Sequence, residues 1–248
     1  MGMIRQGLLV LLIAALTACG GGGSGHTPRG DVWSGFTLPP SFIQYFIEGI
    51  FIHEIYLNGS PTGNKGLVFY FSDKTGKTSG FGAYDVWDKD GVEGSGVILL
   101  DESLNAGTIV GSFPSVPGVA MFAFVQKTHK NVPLDFLYDD VLINWVGTTK
   151  ESDGTTVTTT PTYLYCGLSS SCNYIRGTIS GSVSDVTYDD TTHIWTGKFS
   201  EPDTGRSGDS VLALTADKKV AFLINCDTDH KSPIDYLTDC TFFVGIPT

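Results

Sequence analysis

Short runs of Val, Ile, Thr, Tyr and Phe alternate with clusters of Gly, Asp, Asn and Ser along most of the chain. This pattern is typical of short strands joined by tight turns. No segment of useful length repeats its apolar residues with a helical period. The pattern predicts an all-β protein with strands at 41–57, 66–72, 80–87, 96–100, 119–126, 141–146, 158–165, 174–187, 193–200, 210–215, 220–225 and 241–245.

The first part of the folded region is the least regular. Residues 31–40 show no clear alternation and are predicted to be irregular. Residues 41–48 allow two interpretations. Ser41 and Gln44 have the spacing of a capping box, which would start a short helix. The same residues also begin a long apolar run through Leu57, and this run favours a strand.

Two parts of the chain resemble each other. The segment that starts at Gly49 matches the segment that starts at Gly177, an offset of 177 − 49 = 128. Further on, a His-Lys…Pro-x-Asp-aromatic-Leu string starts at His129 and again at His230, an offset of 230 − 129 = 101. We interpret the match as a tandem duplication. The smaller offset predicts an extra hairpin near 92–118 in the first copy.

The duplication sets the expected architecture. A sheet of about five strands is marginal without a packing partner. We therefore predict two duplicated antiparallel β units, packed together as a sandwich or a barrel-like domain. The first unit is predicted to cover 31–150, with the extra hairpin, and the second to cover 151–248.

The N-terminal residues form an export signal, with Arg5 before an apolar run at 8–16 that ends in small residues. The run is shorter than the about 20 residues that cross a bilayer. The sequence Leu16-Thr17-Ala18-Cys19 then resembles the lipobox of bacterial lipoproteins.

The lipobox resemblance implies an anchored protein of the cell envelope. It implies that 1–18 is a signal peptide and that Cys19 carries acyl chains such as palmitate, with the membrane as partner. Residues 19–30, rich in Gly, are then predicted to be a flexible tether. Gly20 stands where lipoproteins kept in the inner membrane often have Asp, so the outer membrane is favoured.

Charge excludes some partners. The full chain has a formal net charge of −11 at pH 7. Loss of Arg5 with the signal peptide makes the mature charge −11 − 1 = −12. An acidic surface argues against nucleic acid as a partner and against attraction to anionic lipid by charge.

Four cysteines follow the tether, and an even number in an exported protein predicts two disulfides. Three pairings are open in principle. In the duplication, Val125 and Asp140 occupy the positions of Cys226 and Cys240. Two cysteines that are absent together from one copy are most simply one bond, which predicts Cys226–Cys240. The remaining bond is then Cys166–Cys172.

The repeated string supplies candidate functional residues. His129 with Asp135, and His230 with Asp235, are predicted to form a paired surface feature that binds a ligand. A histidine beside a carboxylate is also the pairing of a general base. The alternative is structural. Each Asp would then bond backbone amides in a turn, while the aromatic-Leu pair after it fills the core.

A calcium site is the one metal site suggested by the sequence. Asp88, Asp90 and Glu93 surround a glycine and offer oxygen ligands, but Asp-Gly is equally a hairpin turn. The five histidines show no zinc-like clustering, and the chain has no P-loop, dinucleotide fingerprint or Gly-x-Ser-x-Gly elbow. No other cofactor is predicted.

The exposed face of a β protein often uses Trp and Tyr to bind protein or sugar, although core packing is the commoner role of the four tryptophans. Taken together, the sequence favours a lipid-anchored, non-enzymatic envelope protein that binds a protein or glycan ligand or serves as a structural component. Two alternatives stay open: an exported hydrolase acting on polysaccharide or peptidoglycan through carboxylates, and a carrier of small ligands.

Overall fold

The computed structural model describes most of the chain after the predicted tether. The described residues are 28–38, 41–73, 80–91, 93–113, 116–128, 144–167, 171–189, 194–215, 219–228 and 235–248. They form strands and turns and contain no helix, which confirms the all-β prediction. Residues 41–48 are a strand and not the alternative short helix.

The first half of the described chain folds as an antiparallel barrel. Its strands are β1 (Asp31–Leu38), β2 (Ser41–Glu48), β3 (Phe51–Leu57), β4 (Ser60–Pro61), β5 (Lys65–Tyr70), β6 (Ser72–Asp73), β7 (Phe81–Trp87), β8 (Glu93–Asp101), β9 (Ala106–Phe113) and β10 (Val116–Thr128). Eight of these run in the order β1-β2-β3-β5-β7-β8-β9-β10, and β10 pairs with β1 to close the barrel. The short β4 pairs with β3 alone.

The second half repeats this design. Its strands are β11 (Asn144–Ser152), β12 (Thr156–Gly167), β13 (Ser171–Arg176), β14 (Ile179–Asp189), β15 (Ile194–Glu201), β16 (Arg206–Leu214), β17 (Ala221–Asp227) and β18 (Cys240–Pro247). Each strand pairs with the next, and β18 pairs with β11. The chain therefore forms two closed eight-stranded antiparallel barrels, as the prediction of two barrel-like β units required.

Strand pairing refines the predicted organisation in two respects. The second barrel begins with β11 at Asn144, so a boundary at 150/151 falls inside its first strand. The hairpin near 92–118 is present as β8 and β9. However, it supplies two of the eight strands of the first barrel, and the second barrel also has eight. The two barrels therefore have equal numbers of strands when this hairpin is counted in the first.

Two further details differ from the sequence prediction. Residues 31–38, predicted to be irregular, are strand β1, which buries Ser34 and Thr37 as well as Val32 and Trp33. Because both faces of β1 are covered, polar and apolar residues do not alternate along it. The predicted strand 174–187 is divided by a turn at 177–178, where Gly177 adopts a left-handed φ of 61°.

Each barrel closes at a glycine in its first strand. A Cβ on Gly35 would lie 1.8 Å from the carbonyl oxygen of Phe124 in β10, and one on Gly147 would lie 2.0 Å from that of Val244 in β18. Such separations are far below contact distance, so a side chain at either position would push the closing strands apart. Glycine is thus required where the first and last strands meet.

The side chains alternate between the inside and the outside of each barrel. In β8, Ile98 and Leu100 point into the first barrel, while Val97 and Leu99 point outward. The interior of the first barrel is filled by side chains such as Trp33, and that of the second by side chains such as Trp145. The alternation gives each barrel an apolar interior of its own.

The outward apolar residues of the two barrels form a third, shared core. The outer faces of β7–β10 pack against those of β16–β18. Ring centroids of Phe81 and Phe242 lie 5.4 Å apart, and those of Phe124 and Phe222 also lie 5.4 Å apart. Strand β6 adds a short parallel pairing with β12. These contacts join the barrels side by side.

Both predicted disulfides are present, and each links neighbouring antiparallel strands. Cys166 pairs with Cys172 across the β12–β13 hairpin, and Cys226 pairs with Cys240 at the base of the β17–β18 connection. In the chain-entropy model, a loop of about 15 residues gains about 3 kcal/mol from cross-linking, and a shorter loop gains less. The second bond therefore restrains the unfolded chain more strongly.

Candidate functional site

One rim of the second barrel carries a buried group of charged side chains. Arg176 at the end of β13 is 4% exposed, and Glu201 at the end of β15 is 1% exposed. Nη2 of Arg176 donates to both carboxylate oxygens of Glu201, at 3.3 and 3.1 Å, and Nη1 donates to Glu151 at 2.7 Å. The hydroxyl of Tyr174 donates to Glu201 at 2.9 Å. Burial of Tyr174 and the charge of Glu201 raise the pKa of this phenol, which keeps it protonated as a donor.

A second arginine extends this group along the rim. Nε of Arg206 donates to both oxygens of Asp227, at 3.1 and 3.0 Å, and its Nη1 lies 3.9 Å from Glu151. Burial alone would lower the pKa of Arg206, but the hydrogen bond and charge of Asp227, with the charges of Glu201 and Glu151, raise it. Glu151 therefore links both arginines into one ion network.

The network borders a polar cleft of about 210 Å³ on the same rim. The cleft is lined by Glu151, Ser152, Asp153, Thr158, Arg206, Thr238 and Cys240. Its carboxylates already have partners: Glu151 binds Arg176, and Asp153 accepts the amides of Thr155 and Thr156 at 3.0 and 2.8 Å. The described geometry thus assigns these carboxylates to closing the barrel rim and holding its turn.

The predicted calcium residues form a turn in the described structure. Oδ1 of Asp88 accepts the amide of Asp90 at 2.8 Å, and Lys89 forms an exposed ion pair with Asp90. Gly91 follows with a φ of 78°, as expected for the hairpin alternative. The side chain of Glu93 lies outside the described residues. Among the described side chains, no group of three or more His, Cys, Asp or Glu is placed to hold a metal ion.

The repeated His/Asp feature is described only in part. His129, Asp135 and His230 lie outside the described residues, so their pairing stays a prediction. Asp235 lies in a turn, where its Oδ1 accepts the amide of Leu237 at 3.0 Å and its own amide donates to Asp239 at 2.9 Å. The next two residues, Tyr236 and Leu237, pack against the shared core. The structural interpretation of the string is therefore confirmed for Asp235 and the aromatic-Leu pair that follows it.

Most of the tryptophans are packed in the protein interior, as expected if their main role is core packing. Trp33 and Trp145 are buried inside their barrels, and Trp195 packs partly buried against the interior of the second. Trp87 is the exception, with 40% of its surface exposed at the end of β7. The other described aromatic side chains on the outside are tyrosines and phenylalanines. The sequence pattern did not predict which of these residues are exposed and which lie in the core.

Five apolar and aromatic side chains form a continuous surface on the outside of the second barrel, which we term the tyrosine face. Its members are Val146, Tyr163, Tyr165, Ile175 and Ile246. Strand register places Ile246 opposite Val146, Val146 opposite Tyr163, and Tyr163 opposite Ile175. Directly opposed side chains lie about 5 Å apart. A single row therefore crosses β18, β11, β12 and β13.

The tyrosine face is open to solvent. Tyr163 is 58% exposed and Ile175 is 44% exposed, while Tyr165 and Ile246 are also exposed. A signal for this surface was present in the sequence: Tyr163, Leu164 and Tyr165 are consecutive large residues in one strand, so they must occupy both faces. Leu164 fills the barrel interior, which leaves both tyrosines outside.

Comparison of the chain with protein-family models, with curated proteins and with solved structures finds no match. In the described part of the chain, no helix has the length and hydropathy needed to span a membrane.

Proposed function

We propose that the chain is a lipid-anchored, non-enzymatic protein of the cell envelope, held in the outer membrane through Cys19, that binds another envelope protein through the tyrosine face. The observation that carries this proposal is the row of Ile246, Tyr163 and Ile175, which are exposed, with the half-buried Val146 between Ile246 and Tyr163. Contiguous apolar patches rimmed by polar residues are typical of interaction sites. Tyrosine is also enriched at the centres of protein interfaces.

The filled interiors support binding on an outer wall. One void in the second barrel, lined by residues that include Cys172, Val183 and Leu212, measures about 10 Å³, which is about enough for a single water. A carrier of small ligands would need a far larger cavity, of about 300–1,000 Å³. Recognition on the outer surface requires no such space.

The composition of the tyrosine face favours protein over glycan. Three of its five members are aliphatic: Val146, Ile175 and Ile246. Aliphatic side chains bury well against apolar protein surface, whereas a sugar platform depends on flat rings combined with hydrogen-bonding groups. The two tyrosines supply large contact area and a hydroxyl each, which suits the centre of a protein interface.

The hydrolase alternative would use the polar cleft. Its support is the placement of Glu151 and Asp153 on one open surface. The ion pair of Glu151 and the turn bonds of Asp153 favour a structural role instead. A screen of the purified chain against polysaccharide and peptidoglycan tests this alternative, and turnover that is lost in Glu151→Gln would favour it over binding alone.

Two substitutions in the tyrosine face are expected to weaken binding to the envelope strongly. We would export residues 28–248 without the anchor and measure its binding to isolated envelopes. Tyr163→Ser with Ile175→Ser should weaken binding by tenfold or more, since removing two central interface residues costs about 2 kcal/mol or more. Thr187→Ser, at an exposed position on β14 away from the tyrosine face, is the control and should bind normally.

Enzymatic pretreatment of the envelopes shows whether the ligand is a protein or a glycan. Protease treatment should remove the binding of the unaltered protein, while glycan-degrading enzymes should leave it intact. The reverse result would replace the protein ligand with a glycan. Equal binding by the double variant and the unaltered protein would exclude the tyrosine face as the binding surface.

A further inference from the structure

Four exposed apolar side chains lie on the rim of the first barrel where the chain arrives from the predicted tether. They are Ile50, Phe51, Phe69 and Tyr70, and we term them the anchor rim. Strand β1 begins at Asp31, which lies opposite Ile47 near the end of β2. The turn after β2 leads directly to Ile50 and Phe51. The anchor rim is therefore next to the point where the tether joins the barrel.

Hydrogen bonds and register hold the anchor rim together as one surface. The amide of Val68 donates to the carbonyl of Ile50 at 2.7 Å, and the hydroxyl of Tyr70 lies 3.5 Å from the carbonyl oxygen of Gly49. Phe51 lies opposite Leu67, so Phe69, two residues further along β5, shares the outer face with Phe51. Phe51 and Phe69 thus share one face at this end of the barrel, and Ile50 and Tyr70 are their exposed neighbours in the chain.

The side chains of the anchor rim are exposed to solvent. Phe51 is 51% exposed and Phe69 is 45% exposed, and Ile50 and Tyr70 are also exposed. The outer faces of β7–β10 bury their apolar residues against the second barrel, but β3 and the end of β5 lie outside that contact. Exposed apolar patches of this kind mark sites of contact with a membrane or a protein.

The position of the anchor selects the membrane as the occupant. Cys19 and Asp31 are joined by residues 19–30, whose Gly-rich composition gives an expected reach of about 20 Å. A rim held this close to a bilayer meets lipid far more often than any soluble partner. Tyr and Phe also suit the headgroup boundary, where a ring can enter the acyl region while a hydroxyl stays hydrated.

The charges around the anchor rim indicate apolar docking. Glu48 pairs with His53 at 3.0 Å, and Lys127 pairs with Asp31 at 2.7 Å and with Glu102 at 3.1 Å. In these pairs, three carboxylates face one lysine and one histidine, so they give no net attraction for anionic headgroups. Contact with lipid would therefore come from aromatic rings inserted into the bilayer, and it should depend little on salt.

We propose that the anchor rim docks against the bilayer that holds Cys19, with Phe51 and Phe69 inserted at the level of the headgroups. This inference rests on the proposed lipid anchor. Docking fixes the first barrel against the membrane and restricts the directions in which the tyrosine face can point. The protein would then be an oriented module and not a freely tumbling one.

Environment-sensitive labels on the full-length, acylated chain test the docking. The other four cysteines are in disulfides and Cys19 is acylated in the proposed form, so Phe51→Cys and Phe69→Cys each add one free thiol for the fluorophore NBD. Trp87→Cys is the matched control, because Trp87 is a similarly exposed aromatic at the far end of β7. Each protein is reconstituted into phosphatidylethanolamine/phosphatidylcholine vesicles, with and without nitroxide lipids.

Nitroxide lipids should quench NBD at positions 51 and 69 at least about twofold more strongly than at position 87, since docked rings lie about 5–10 Å into the interface. The difference should persist in high salt. Flotation of the vesicles separates the two ideas. A protein that fails to float with the vesicles would disprove the anchor and the docking with it. A protein that floats but shows equal quenching at all three positions would overturn the docking alone.

Discussion

Replacing Arg176 with alanine is expected to lower the free energy of unfolding of the second barrel by about 3–5 kcal/mol. The substitution leaves Glu201, which is 1% exposed, as a buried carboxylate without its arginine partner. It also removes the shortest bond of Glu151 in the network, the 2.7 Å contact with Nη1 of Arg176. Chemical denaturation, followed by tryptophan fluorescence in the unaltered protein and in the variant, measures the loss.

Two companion variants make this result specific. Lys198→Ala breaks the exposed pair between Lys198 and Asp209 and should change the stability by no more than about 1 kcal/mol. Replacing Arg176 and Glu201 together with leucine should cost less than Arg176→Ala, because no buried charge is left alone. A loss below 1 kcal/mol for Arg176→Ala would show that the network does not hold the rim of the barrel.

Truncating Phe242 is expected to weaken both barrels at once. Its ring is fully buried in the shared core against Phe81, so Phe242→Ala should cost about 3–5 kcal/mol. Because the cavity opens between the barrels, amide hydrogen exchange should become faster in β7 of the first barrel and in β17 and β18 of the second. Exchange followed by mass spectrometry resolves these strands.

The neighbouring phenylalanine is the matched control. Phe243 is also buried, but it points into the interior of the second barrel. Phe243→Ala should destabilise the chain by a similar amount, with faster exchange confined to the second barrel. If Phe242→Ala left the exchange of β7 unchanged, the shared core would not couple the two barrels.

The sequence predicted the fold class because turn residues and β-branched runs report local structure directly. It also predicted both disulfides, since the copy that lacks two cysteines points to one bond between them. The strand order was harder to read. The match between Gly49 and Gly177 aligns β3 with β14, the third strand of one barrel with the fourth of the other. Successive strands of a meander share the same alternation of inward and outward residues. Two copies of a repeat can therefore match in sequence while being offset by one strand in the barrel.

The candidate sites were less predictable, for two physical reasons. Arg176 and Glu201 lie 25 residues apart along the chain, and the antiparallel pairing of β13 and β15 with β14 brings them to the same rim. Burial of Trp33 depends on which face of β1 points into the first barrel, and exposure of Tyr163 depends on how far along β12 the first barrel covers the outer face. That choice is set by packing between distant segments, which an alternating pattern alone does not reveal.

The two exposed surfaces have separate roles in this account. The anchor rim belongs to the first barrel, next to the tether, and is proposed to contact lipid. The tyrosine face belongs to the second barrel and is proposed to contact protein. The shared core between β7–β10 and β16–β18 holds the two barrels together, so docking of one barrel would orient the other. The ion network closes a rim and is not required for recognition.

Photo-crosslinking in living cells tests most directly whether recognition occurs on the outer wall. A photoreactive phenylalanine analogue would replace Tyr163 on the tyrosine face or Thr158 in the polar cleft, two positions on the same strand β12. Thr187, exposed on β14, is the control position. We expect a discrete protein adduct from position 163 and none from positions 158 or 187. An adduct from position 158 without one from position 163 would place the binding site in the cleft and exclude recognition through the tyrosine face.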